Sequence, residues 1–429
     1  QRPEMSIDRS QAPPFSFPEK IHLNPPQGRV LINGTPLYYI PFPNIEAVKI
    51  EIVFSLKNTE KEPYKPLLPF FMLHMLLEGT NTMDAEKLDD FFDFHASEVD
   101  IISSYEKQGL SLLTTKKHLL EVLPVFRSLF TDATFPEKEL NKRKSQKKLS
   151  ISIKNEQTSA RANQLIRGSL FHKDHPFGFQ VSEKDVDAIN KDDLSQYYHK
   201  EFLIAPQIFL TGHLTREELN QIESSFSDLP LSAELPIHLP TGEILSSKKV
   251  ENKAEALQSS IRIAKWMVPK SHPDYPALYV LNTLLGGYFG SRLIKNIREE
   301  KGYTYGINSF LGELNGNEYW MTVADVKGGY GEAVIQEVYK EIERLKTEPV
   351  AAVELEIIKN YLAGSLLSNF SSPFDQMNHF QQVHFQGLNF DYYTQLLEYI
   401  THFDGRDIMN MANKYFDQKD MLEVIVGAG

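Results

Sequence analysis

Cysteine is absent from this chain, and tryptophan occurs only twice. Without thiols there are no disulfides, no thiolate nucleophile and no cysteine-held zinc. That fits a reducing compartment, so the cytoplasm is the expected location and a periplasm the alternative. No apolar run approaches the roughly 18 residues of a membrane span, and the N-terminal stretch lacks an apolar core, so neither a span nor a signal peptide is expected. Positive charge is in deficit: 45 basic against 57 acidic side chains leave a net charge of −12. An acidic surface repels phosphate backbones, so no nucleic-acid partner is expected. A Gly-x-Ser-x-Gly elbow is missing, which argues against a serine hydrolase of that type. Gly286, Gly287 and Gly290 are followed by no Gly-Lys-Ser/Thr and preceded by no strand, so they form no phosphate loop. Close packing, or room for a peptide, explains them better.

What the chain does have is length and an internal repeat. At 429 residues it is too long for one ordinary domain. In the first half, residues 66–78 are apolar all round, which predicts a buried helix stopping at Gly79. A polar-started helix over 83–97 follows, then alternating runs near 99–106 and 109–116 that predict a β-hairpin. Helices beginning near Lys117 and Pro136 complete the unit. The second half runs in the same order: a helix ending at Gly286–Gly287, a second over 290–300, alternating strands joined at Asn315–Gly316, then two more helices. Glu78–Gly79 and Gly286–Gly287 correspond, so two similar domains are predicted rather than a solenoid.

Strands are expected to open and close each domain. The polar, proline-containing stretch 231–255 reads as a linker. The fold class is therefore α+β: homologous domains over 20–230 and 256–429, each a mostly antiparallel sheet covered by helices on one side, arranged as a half clam shell.

The most informative segment runs from Leu284 to Tyr305. A double glycine leads into a short amphipathic helix ending in Arg298, then a stop at Gly302 and a strand bearing Tyr305, which brings a guanidinium and a phenol side by side. Read singly, Arg298 is a helix-end cation complementing the dipole and Tyr305 a strand residue. In this context the segment closely resembles the second-domain signature of the insulinase/pitrilysin family of zinc peptidases, and the resemblance extends over nearly the whole chain. The first half carries the counterpart of the family's inverted motif, His-x-x-Glu-His. Here Phe70 stands at the first histidine and Leu73 at the glutamate, and only His74 remains. The window for the third ligand, around Ser150 and Ile151, holds no carboxylate. No metal site is therefore expected in this chain, and His74 is expected to be a core histidine with a hydrogen-bond partner. Lys142, Arg143, Lys144, Lys147 and Lys148 stand where the family usually carries acids. They read as a solvated helix face, or else as cations turned towards the former metal site. His172 and His175 have ligand spacing but fall in a surface stretch.

The resemblance implies a half-size, processing-peptidase-like member with no cofactor of its own. Some members of the class work as heterodimers in which one subunit keeps the zinc motif and the other keeps the Arg/Tyr pair. The leading expectation is that this chain is inactive alone. It would complete peptide hydrolysis in a zinc-bearing partner, with Arg298 holding substrate carbonyls and Tyr305 the oxyanion. A structural or peptide-holding module is the alternative. A stand-alone zinc peptidase with altered ligands is the second alternative.

Overall fold

The computed structural model describes residues 10, 16–18, 20–57, 65–171, 175, 177–237, 248–314 and 318–428. In the first half, β1 (Gln27–Val30), β2 (Pro36–Pro41) and β3 (Ala47–Ser55) precede α1 (Leu68–Met75) and α2 (Ala85–Phe94). The expected hairpin is β4 (Glu98–Ser103) and β5 (Lys107–Thr115), antiparallel with Glu98 opposite Leu113. Then come α3 (Leu119–Thr131), α4 (Glu137–Glu156), α5 (Thr158–Leu170), α6 (Glu183–Asp187), α7 (Lys191–Lys200), β6 (Ile204–Gly212) and α8 (Arg216–Phe226).

The second half opens with β7 (Lys248–Asn252), inside the stretch read as a linker, and β8 (Gln258–Trp266). Next are α9 (Tyr275–Asn282), π-helical turns over Thr283–Gly287 and Ile294–Glu300, β9 (Thr304–Gly312) and β10 (Tyr319–Lys327). The Asn315–Gly316 turn lies outside the described residues. Five helices follow, α10 (Gly331–Thr347), α11 (Ala352–Ser368), α12 (Pro373–His384), α13 (Asp391–His402) and α14 (Gly405–Tyr415), before β11 (Leu422–Gly427).

The repeat is plain in the sheets. The first runs β1-β2-β6-β3-β5-β4 and the second β7-β11-β8-β10-β9. The chain's turns make most neighbours antiparallel, with β2–β6 and β7–β11 parallel. Strand alternation sends Val48, Ile50 and Ile52 of β3 into the first helix-covered core, and Ile261 and Ile263 of β8 into the second.

The opposite faces are covered as well, each by a helix from the other half. Ala162, Ile166 and Leu170 of α5 pack on Ala264, Met321, Val424 and Val426 of the second sheet. Met377 and Phe380 of α12 pack on Ile40, Val53 and Phe209 of the first. The expected helical layer on one side is present; the exchanged helices add a second. They cover the apolar residues that alternation turns away from each main core. Among the described residues no helix is long and apolar enough to cross a membrane.

Candidate functional site

Apolar but for His74, α1 carries Pro69 in its first turn, where the missing N–H leaves no helical bond unmade. Met72, Leu73 and Met75 are buried in the first core. Phe70 and His74, one turn apart, share the less buried side, and their rings lie 4.3 Å apart. Leu73 is an aliphatic side chain only 1% exposed. Ile151, in the window for the third ligand, is also buried in that core.

Glu137 and Glu139 in the first turn of α4 and Lys154 in the last suit the helix dipole. The cations between them divide by direction. Arg143 pairs with Glu78, Lys148 with Asp187 and Lys142 with Glu139. Lys144 donates to the carbonyls of Asp187 and Ile189. Lys147 turns inward instead, its Nζ 3.8 Å from the Phe70 ring centroid, a cation–π contact. Burial, and then the nearby Lys154 charge, lower the pKa of Lys147.

His74 is only half-buried, and no hydrogen bond reaches its side chain among the described residues. The expected partner is replaced by the Phe70 ring. Burial first, then the Arg143 and Lys147 charges, lower its pKa to about 4, so the imidazole is neutral at pH 7. A catalytic zinc site needs three protein donors. Here one imidazole sits against an arene with an ammonium above it. These residues do not fit the ion.

Beside Phe70 and Lys147 opens a cavity of about 640 Å³ between α1, the β4–β5 hairpin, α4 and α5. Among the described residues its lining holds three cations, Lys147, Lys154 and Arg167, several amides including Gln108 and Asn163, and no carboxylate. Arg167 donates to the Tyr105 hydroxyl at 2.7 Å and to the Asn163 carbonyl; among the described residues no acid pairs with it. Gln108 Oε1 is buried without a partner among the described residues. Arg167 and Lys154 were not singled out in the sequence, because nothing local shows α5 bending back beside α4.

The Arg/Tyr segment forms the expected helix, stop and strand, with a wider π-helical turn in place of the α-helix. Gly286 is tightly placed: a Cβ there would lie 2.5 Å from Ser309 Oγ of β9. Close packing therefore accounts for this glycine. Gly302 takes a left-handed φ of +64° and ends the turn. The Arg298 guanidinium lies 4.9 Å from the Phe289 ring. Tyr305 projects from β9, the edge strand, and is 93% exposed. Among the described residues no hydrogen bond or ring contact reaches its phenol, and none joins it to Arg298. His175 is a core residue: it is 4% exposed and stacked on Phe171, and its Nδ1 accepts from the Phe177 N–H. His172 lies outside the described residues.

Two models of one family match in tandem: "Insulinase (Peptidase family M16)" over residues 60–175 and "Peptidase M16 inactive domain" over 188–362. The chain belongs to the insulinase (M16) peptidase family. Among M16 relatives, an uncharacterized zinc protease, YmxG, of Bacillus subtilis is 23% identical over 356 residues, covering 81% of this chain and 85% of that protein. A protein of Helicobacter pylori described as a non-peptidase homolog YmxG is 22% identical over 369 residues, covering 82% of each. The crystal structure of a peptidase M16 inactive domain from Pseudomonas fluorescens superposes with a TM-score of 0.85 at 20% identity, covering 94% of this chain and 98% of that one. This M16 chain thus shares the family's two-domain fold and resembles its inactive homologues.

Proposed function

We propose that this chain is an M16 subunit with no catalytic zinc site of its own, which completes the peptide-cleaving site of a separate partner bearing an intact His-x-x-Glu-His motif. The exposure of Tyr305 carries the reading: a phenol 93% open to solvent on an edge strand, in a chain where Lys147 sits over the Phe70 ring beside His74. Zinc in the partner activates the water. The residues of this chain grip the substrate: Arg298 donates to peptide carbonyls, and the Tyr305 hydroxyl donates to the oxygen that gains negative charge on attack. The test is reconstitution. Neither subunit alone should cleave a peptide efficiently, the mixture should, and Tyr305→Phe should cut turnover by roughly 10²-fold. Full activity of the partner alone, or an unchanged rate in the mutant mixture, would overturn this role.

The cation-lined cavity favours a second reading, a module that holds peptides without catalysis. Lys147, Lys154 and Arg167 face a space with no carboxylate among the described residues of its lining, whereas neighbouring cations on α4 are paired with acids. Such a cavity selects acidic peptides. An acidic peptide should bind the isolated chain and its lysine-substituted counterpart should not. Affinity should fall with added salt and in Lys147→Ala. Equal binding of both peptides would remove this reading.

A further inference from the structure

Between α2 and α3 lies a cluster that the M16 motif does not include. His95 follows the last turn of α2, His118 precedes the first turn of α3, and Glu121 sits one turn along α3. Their ligand-capable atoms all lie within 4.8 Å of one another. His95 Nε2 is 3.1 Å from Glu121 Oε2, and His118 Nδ1 is 3.9 Å from Glu121 Oε1. The two imidazoles meet edge to face with centroids 5.3 Å apart.

Two features separate this cluster from an ordinary solvated His–Glu pair. First, His95 Nδ1 lies 2.7 Å from the Phe91 carbonyl oxygen. A carbonyl only accepts, so Nδ1 carries the proton and the neutral ring turns the Nε2 lone pair towards a carboxylate oxygen. Two lone pairs facing each other at 3.1 Å need a cation between them, either a proton or a metal ion. A histidine anchored through its other nitrogen to a backbone carbonyl is the usual arrangement of a metal ligand. Second, His118 Nδ1 is shut off from solvent and has no hydrogen-bond partner among the described residues. A buried orphan nitrogen of this kind points to a missing partner, such as an ion.

We propose that His95, His118 and Glu121 bind one divalent transition-metal ion, zinc in the first instance, which clips α2 to α3. Two imidazoles and a carboxylate are a zinc donor set, with bonds of about 2.0–2.2 Å. Tetrahedral bonds of that length put donor atoms about 3.3 Å apart, between the two separations seen here. Imidazole donors disfavour magnesium and calcium, which take oxygen. Glu121 is 61% exposed, so the ion has a way in and solvent can fill the fourth position. This inference does not rest on the role proposed for Arg298 and Tyr305, and its test does not read peptide cleavage.

The full chain, stripped with chelator, is dialysed against Zn²⁺ and, separately, Mg²⁺, and its metal content and thermal midpoint are measured. About one zinc and no magnesium should bind, and zinc should raise the midpoint. His74→Ala should keep the ion, while His118→Ala should lose both the ion and the zinc-dependent rise. Glu121→Gln, a surface change that leaves the fold intact, should also lose stoichiometric binding. Absence of bound zinc in the parent chain overturns the proposal. So does an ion retained by both His118→Ala and Glu121→Gln, or one lost on His74→Ala.

Discussion

His74 and His175 are both neutral at pH 7, and burial leads the lowering of each to a pKa of about 4. An unfolded histidine titrates near 6.5. Between these values the unfolded chain binds the protons first, so stability rises with pH across the window and falls on acidification. The contribution is fully present above pH ~6.5 and is lost progressively towards pH ~4. The urea midpoint should therefore drop between pH 7 and pH 5, and His74→Gln should flatten part of that drop. An equally steep profile in His74→Gln and His175→Gln would show that other groups set the acid limit. That Phe70 and Leu73 are apolar was legible in the sequence, because a residue's identity is local information. That Leu73 faces the core while Lys147 faces Phe70 was not, since the direction of a side chain depends on what packs against its helix.

At the scale of elements, α5 belongs by sequence to the first half and by packing to the second sheet. Ile166 is fully buried in that contact, so Ile166→Ala should cost about 2–5 kcal/mol. A polar tie accompanies the packing: the Arg262 side chain of β8, buried beside the sheet, donates from Nε to Asn163 Oδ1 at 2.7 Å. Burial lowers the pKa of that guanidinium. Asn163→Ala removes an acceptor from a charged donor and should cost about 1–3 kcal/mol. Chemical denaturation of the two variants checks both values, and a loss under 0.5 kcal/mol, typical of open surface sites, would mean that the contact is solvated. The hairpins and the buried helix α1 were predictable, because their periods of 2 and 3.6 and their turn residues are written in adjacent positions. α5 and α12 were not predicted, since an amphipathic stripe does not say which sheet it covers.

For the whole molecule, the exchange of α5 and α12 means that neither half buries its sheet alone. Calorimetry should show a single transition for the intact chain, and a fragment starting at residue 248 should aggregate, with Met321, Val424 and Val426 uncovered. Two well-separated transitions would show that the halves are independent. Side-chain bonds across the halves, such as that from Gln381 Nε2 to Glu51 Oε2 at 2.8 Å, work in the same direction.

The amino-acid order by itself determined the α+β class, the duplication and the apolar residues that surround His74 in α1. Each depends on residue type and spacing within short windows, where backbone geometry translates pattern directly into helix, strand and turn. The tertiary structure alone decided which helix crosses to which sheet, which cations converge on the cavity, and that His95 meets His118. Those outcomes turn on contacts between residues far apart along the chain, where burial and charge select one arrangement from many that the local pattern allows.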